Sequence, residues 1–117
     1  MAIQKQVGAF TDARPSGADL RGQEYHFASR DASGNLVLAS AGGIVAGVIQ
    51  EGKNTTYWST IATAGILKVV AGAGITPGQR VQAGAGGTAV PGVTNSPGVA
   101  RNTCFSGEMA EIQMDAA

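Results

Sequence analysis

The sequence predicts an all-β fold, a small sandwich or barrel of short antiparallel strands, and three observations carry that prediction. Glycine fills 18 of 117 positions, roughly twice its usual ~7% share, and each glycine inside a helix would cost about 1 kcal/mol relative to alanine. Long helices are thereby disfavoured. The longest glycine-free interior stretch, KNTTYWSTIATA at 53–64, is full of Thr, Ile and aromatic residues, whose branched or bulky side chains suit a pleated surface. Short segments of similar character recur between turn signals at the spacing of sandwiches and barrels.

The first 23 residues, MAIQKQVGAFTDARPSGADLRGQ, scatter Ile3, Val7 and Phe10 among polar residues with neither a strand nor a helix period. Pro15, Gly17 and Gly22 interrupt any continuous element. The segment 1–23 is therefore read as an extended N-terminal arm and 24–117 as one β domain. Such an arm is either a disordered terminus or a segment that orders across a neighbour. In the second case it would add backbone hydrogen bonds to an open edge and insert Ile3, Val7 and Phe10 as anchors.

The strands follow in order. EYHFAS (24–29) has Tyr25 and Phe27 as its large apolar groups, so alternation turns them inward and His26 outward. After DASGN come NLVLAS and GIVAGVIQ, and after EGKN come TTYWSTIAT and ILKVVA, separated at AG. In ITPGQ, Pro77 presets φ and Gly78 takes the positive φ that a type II turn needs, returning the chain into RVQA. AGAGG closes the next hairpin into GTAV, and GVAR and AEIQM complete the set. EMAEIQM contains good helix formers and admits two helical turns. The strand reading is preferred because it places Ala110, Ile112 and Met114 on one face and Glu111 and Gln113 on the other.

Eight basic residues balance eight acidic ones, so no dominant field attracts nucleic acid or an anionic membrane. Cys104 is the single cysteine, which excludes an intrachain disulfide and suits folding in a reducing compartment such as a bacterial cytoplasm. The opening MAIQKQVGAF lacks the apolar core of a signal peptide. The longest nearly apolar run, at 36–49, is broken by Ser40 and three glycines and is shorter than the roughly 20 residues that span a bilayer. A soluble protein is expected.

Chemical motifs fail on context. Within the glycine-rich 71–91, Gly72 and Gly74 are followed by Pro77 where a dinucleotide fingerprint requires its third glycine. GVIQEGKN at 47–54 nearly matches a P-loop, but Asn54 replaces the magnesium-binding hydroxyl, and the following TTYWST favours no helix to face phosphates. Lys53 is read as a solvated turn residue. His26 lacks a positioned partner for base chemistry, and one histidine with one distant cysteine suggests no zinc spacing. Glu108 in a turn and an outward Glu111 do not make the converging carboxyl pair of a glycosidase. Tyr57 and Trp58 have the chemistry to bind a sugar or a base, but aromatics in a small β core ordinarily pack. No enzyme, catalytic residue, cofactor or metal site is expected.

The succession DLRGQEYHFA, AGGIVAGVIQEG, STIATAGILKVVAGAGITPGQRVQAGAGGTAV and PGVARNTCFSGEMAEIQM resembles the small capsid decoration, or cement, proteins of tailed bacteriophages. The likeness covers 19–114 and lies in an order of glycine-bounded strands, since no element is a catalytic signature. It implies a structural virion protein that binds the outer capsid surface and stabilises the shell, with the major capsid protein and itself as partners. A homotrimer is favoured over a dimer. Two alternatives remain. One is a tail or fibre module of the virion, which has the same all-β, glycine-rich character. The other is a carrier-type β module, which ITPGQRVQAG resembles. The carrier needs a lysine at a hairpin tip, and no lysine follows Lys68.

Overall fold

β-Branched and apolar segments punctuated by glycine turns form nine strands among the described residues, 10–115, of a computed structural model. They are β1 Phe10–Pro15, β2 Phe27–Arg30, β3 Leu36–Leu38, β4 Gly47–Glu51, β5 Trp58–Val70, β6 Arg80–Ala83, β7 Ala89–Pro91, β8 Gly98–Ala100 and β9 Met109–Met114. The sheet order is β3-β2-β4-β5-β9-β8-β6-β7, with β1 also on β5. Every ladder is antiparallel, and the whole curls into a half-barrel. The expected all-β class holds. No helix among the described residues is long and apolar enough to cross a membrane.

The turn expected at Ala64 and Gly65 is absent. β5 runs unbroken for 13 residues and bends at Gly65, whose φ of 102° lies where a side chain would be strained. Before the bend β5 pairs with β4 on one flank and β1 on the other. After it, β9 takes over, so that Met114 faces Gly65 while Phe10 faces Ala64. β9 and β1 thus lie end to end along the flank opposite β4. Single parallel bridges, Ser16 to Leu36 and Ala71 to Ala89, draw the edges of the two halves back toward β1 and β5.

Two cores result. The larger gathers Phe27, Val48 and Ala62, which lie in register across β2, β4 and β5, with Leu67, Val69, Ile75, Val81 and Ile112. The smaller, on the other face of the first half, consists of Leu20, Ala28, Leu36, Ile49 and Ile61. β2, β4 and the start of β5 are therefore buried on both faces. Consecutive apolar residues replace simple alternation there.

From Phe10 onward the segment read as an arm lies extended on β5 and then crosses the smaller core. Leu20 is fully buried in that core. Its N–H donates to the Lys53 carbonyl at 2.9 Å, and Glu24 Oε2 accepts from the Gly52 N–H at 2.9 Å. These two bonds strap the loop before β2 to the turn after β4.

A buried hydroxyl chain seals the seam beside the strap. Ser16 Oγ donates to the Tyr57 carbonyl at 2.8 Å and lies 2.6 Å from Ser59 Oγ, which accepts from the Lys53 N–H at 2.9 Å. With Ser16's proton committed to Tyr57, Ser59 must be the donor between the hydroxyls, and each polar group is satisfied.

Several sequence expectations hold. Thr76 and Gln79 close the turn at 3.2 Å with Gly78 at φ 83°, β6 and β7 form the hairpin around the 3₁₀ turn Ala85–Gly87, and 109–114 is a strand. Ala110, Ile112 and Met114 of that strand are buried. The inward placement of Tyr25 does not hold. Its φ is 66°, its N–H and carbonyl are taken by Ile49 and Val70, and its side chain is exposed. β2 begins only at Phe27, so Tyr25 lies in a bend outside the alternation.

Leu20→Ala is expected to destabilise the protein by about 2–5 kcal/mol, since it empties one of five side chains in the smaller core. Ser59→Ala, which removes the acceptor of the half-buried Lys53 N–H and the partner of the buried Ser16 hydroxyl, is expected to cost about 1–3 kcal/mol. Urea unfolding followed by circular dichroism measures both.

Candidate interaction surface

The residues considered for chemistry are dispersed. Gly47–Glu51 of the P-loop-like stretch is strand β4, and Lys53 pairs with Glu51 at 3.3 Å on the surface. His26 is half-buried, its Nδ1 3.2 Å from the carbonyls of both Gln23 and Glu24; two acceptors there require Nδ1 to carry the proton. Glu108 Oε1 accepts from the Phe105 N–H at 2.7 Å, while Glu111 faces Arg101 at 4.0 Å. Lys68 stands in mid-strand opposite Glu111, away from any hairpin tip. Among the described residues no three His, Cys, Asp or Glu side chains gather as a metal site. Of the three arm anchors, Ile3 and Val7 lie outside the described residues, and Phe10 opens β1 with its backbone opposite Ala64.

Cys104 is buried, bridged through its backbone to Ile75. Burial pushes its thiol pKa up and the charge of Glu108 adds to the rise, so the nucleophilic thiolate is suppressed.

Apolar side chains left in water are more informative. Tyr57 and Trp58, expected to pack, are 60% and 62% exposed. They sit at the outer end of β5, where Trp58 faces only Pro15 of β1 and both cores have already ended. Ile44 and Val93 are more exposed still, at 74% and 78%. Both stand on loops that hydrogen bonds hold together: Asn95 Nδ2 donates to the Gly42 carbonyl at 3.0 Å, and Thr94 N–H to Gln82 Oε1 at 3.0 Å. Ser29 Oγ donates to the Ile44 carbonyl. These aliphatics are fixed outward by pinned backbone.

Two clefts lie on the molecule, and Ile44 lines the first. One, of about 490 Å³, runs between β3 and the 40–46 loop and is lined by Val37, Leu38, Ile44 and Val45 among others. The second, of about 580 Å³, includes Asp12, Pro97, Met114 and Asp115. Arg30, Val45 and Ala46 line both, making one continuous groove. Its charges pair off: Asp12 with Arg14 at 3.1 Å and Arg30 at 3.3 Å, and Asp115 with Arg80 at 2.6 Å. The hydrogen bond from Arg14 is the main cause that holds the Asp12 carboxyl below the ordinary carboxylate range, with the Ala13 N–H and the charge of Arg30 contributing. The groove therefore offers an aliphatic wall in its first cleft, and in its second a mixed lining in which paired charges, Thr63 and Ser96 stand beside Pro97 and Met114. Sequence reading puts Ile44 inside the strand segment GIVAGVIQ, whereas β4 begins only at Gly47 and leaves Ile44 on a loop; it does not single out Val93, an aliphatic among the turn residues of PGVTN.

The fold class is thus a curled antiparallel half-barrel with a polar-rimmed groove on one side. No protein-family model matches the sequence, and no curated protein matches it. Among solved structures, the N base of the head fiber gp8.5 of bacteriophage phi29 is similar, with a TM-score of 0.71 and 16% identity over 92% of this chain and 94% of that one. That likeness shows the fold.

Cys104 is expected to resist an aromatic disulfide reagent in the native protein and to react fully in denaturant. Rapid native labelling would show that the barrel end around Ile75 opens freely.

Proposed function

We propose that the protein is a structural component of a bacteriophage virion that binds the outer surface of the assembled head and stabilises it, as a decoration or cement protein. The observation that carries this reading is the near full-length likeness, 92% of this chain and 94% of the other, to the N base of a phage head fiber. The glycine-bounded strand succession over 19–114, which resembles decoration proteins, supports it independently.

The composition suits the role. Many neutral copies can crowd one shell without the self-repulsion of a highly charged domain. An oligomer, a homotrimer by the resemblance, would touch several major capsid protein subunits at once, and modest contacts then combine through effective concentration. A binder that prefers the assembled shell stabilises that state by linkage. In this reading the arm anchors Ile3, Val7 and Phe10 meet the shell or an adjacent copy, and the protein has no catalytic role or cofactor. A second reading, the base of a head fiber, is favoured by the same structural neighbour. It keeps the head surface as the site and differs in what the domain carries.

Empty expanded heads should bring the full chain down in cosedimentation, and electron microscopy should show added density on the outer face of the shell. Deleting residues 2–9, which spares β1, should abolish pelleting while leaving the circular dichroism unchanged. A chain that stays in the supernatant with intact heads, or density confined to the tail, would overturn the proposal.

A further inference from the structure

We infer that Asp12 guards the outer edge of β1: its carboxylate caps an outward-facing backbone donor and so keeps a further strand, from a second copy of this chain, from adding there. The inference does not rest on the virion reading.

Among the described residues, β1, β3 and β7 are each paired on one flank only. β3 and β7 are short, three residues each, and both are bridged on the other side, Leu36 to Ser16 and Ala89 to Ala71. β1 is six residues long, and no strand of the described residues lies along its outer flank. An unpaired edge of this length is a template on which another chain can pair.

The ladder fixes which groups face outward. Opposed residues of an antiparallel pair alternate between those that exchange hydrogen bonds and those that do not. The Ser16 N–H donates to the Tyr57 carbonyl at 3.2 Å, continuing the register in which Arg14 meets Ser59 and Asp12 meets Ile61. Arg14 and Asp12 therefore bond to β5, while Thr11, Ala13 and Pro15 turn their backbone groups away from it. Pro15 has no N–H to offer. The Ala13 N–H is taken at 2.9 Å by Asp12 Oδ1. Of the three outward positions, only Thr11 presents an uncapped donor.

The capping carboxylate is held in place from its other oxygen. Asp12 Oδ2 accepts from Arg14 Nε at 3.1 Å and from Arg30 of β2 at 3.3 Å. Asp12 also stands opposite Ile61, on the face of the smaller core, so it is an inward-pointing charge on an edge strand, one of the devices by which sheets resist edge-to-edge pairing.

Full-length variants test this by sedimentation velocity over a concentration series, with circular dichroism to check the fold. Asp12→Ala should form species larger than the parent's at about tenfold lower concentration, the effect of freeing one backbone hydrogen bond. Adding Ala13→Pro, which deletes the freed N–H at an edge position where proline is tolerated, should return the double variant to the parent's behaviour. Both variants lack the ion pairs of Asp12, so the reversal separates the cap from the loss of charge. Unchanged association of Asp12→Ala, or association that persists with Ala13→Pro, would overturn the inference. Amide exchange in the unaltered chain is a second measurement that needs no variant to fold. Relative to their unfolded rates, the Ala13 N–H should exchange about tenfold or more slowly than the Thr11 N–H, and equal protection at the two positions would refute the cap.

Discussion

The inversion of side-chain sense at Gly65 is the constraint on which the two-core arrangement depends. Before it, Ala62 faces the larger core and Ile61 the smaller one; after it, Leu67 and Val69 face the larger core. Even-numbered residues serve that core on one side of the bend and odd-numbered residues on the other. A regular strand cannot do this, since alternation has a strict period of two. The φ of 102° at Gly65 and the skipped residue in the β1 register, where Phe10 meets Ala64 but Thr11 meets Ala62, make the change of sense. One strand can then belong to both halves of the curl.

Much of this architecture is legible in the sequence, and the gaps have physical causes. Turn chemistry locates 76–79 and 84–88 because Pro77, Gly78 and the AGAGG run suit turns far better than strand interiors. The period-two pattern at 110–114 holds because that strand has one wet face. Reading Ala64 and Gly65 as a turn fails because a glycine with positive φ serves equally in a turn and in a strand that bends without reversing. Side-chain size predicts Tyr25 and Trp58 inward, whereas Tyr25 sits in a positive-φ bend before β2 and Trp58 at the outer end of β5. The pairs Val48 with Ile49 and Ile61 with Ala62 are a usable signal of burial on both faces, since consecutive apolar residues are what such a strand requires. Nothing in periodicity marks a groove whose walls come from separated loops, and the exposed Ile44 and Val93 depend on the same tertiary pinning.

Polar groups follow a division of labour. Inside, the Ser16 and Ser59 hydroxyls are matched one to one with backbone groups, so the seam where the curl approaches closure carries no orphaned donor. Outside, the Asp19 carboxyl, held at about 2 chiefly by its hydrogen bond from Arg21, and the pairs around Asp12 and Asp115 balance charge locally. Such exposed pairs add little stability. What they provide is a surface whose charges are largely paired, from which Ile44 and Val93 stand out as exposed aliphatics.

The position of β5 also bears on how the chain assembles in time. Its partners β1 and β9 come from opposite ends of the described chain, and neither can dock until the intervening loops have closed. Proteins dominated by such distant pairings fold on the millisecond to second scale. During that interval the Ile61 and Leu67 faces of β5 stand uncovered, and a synthesis rate that outruns docking would favour tangled chains over finished subunits.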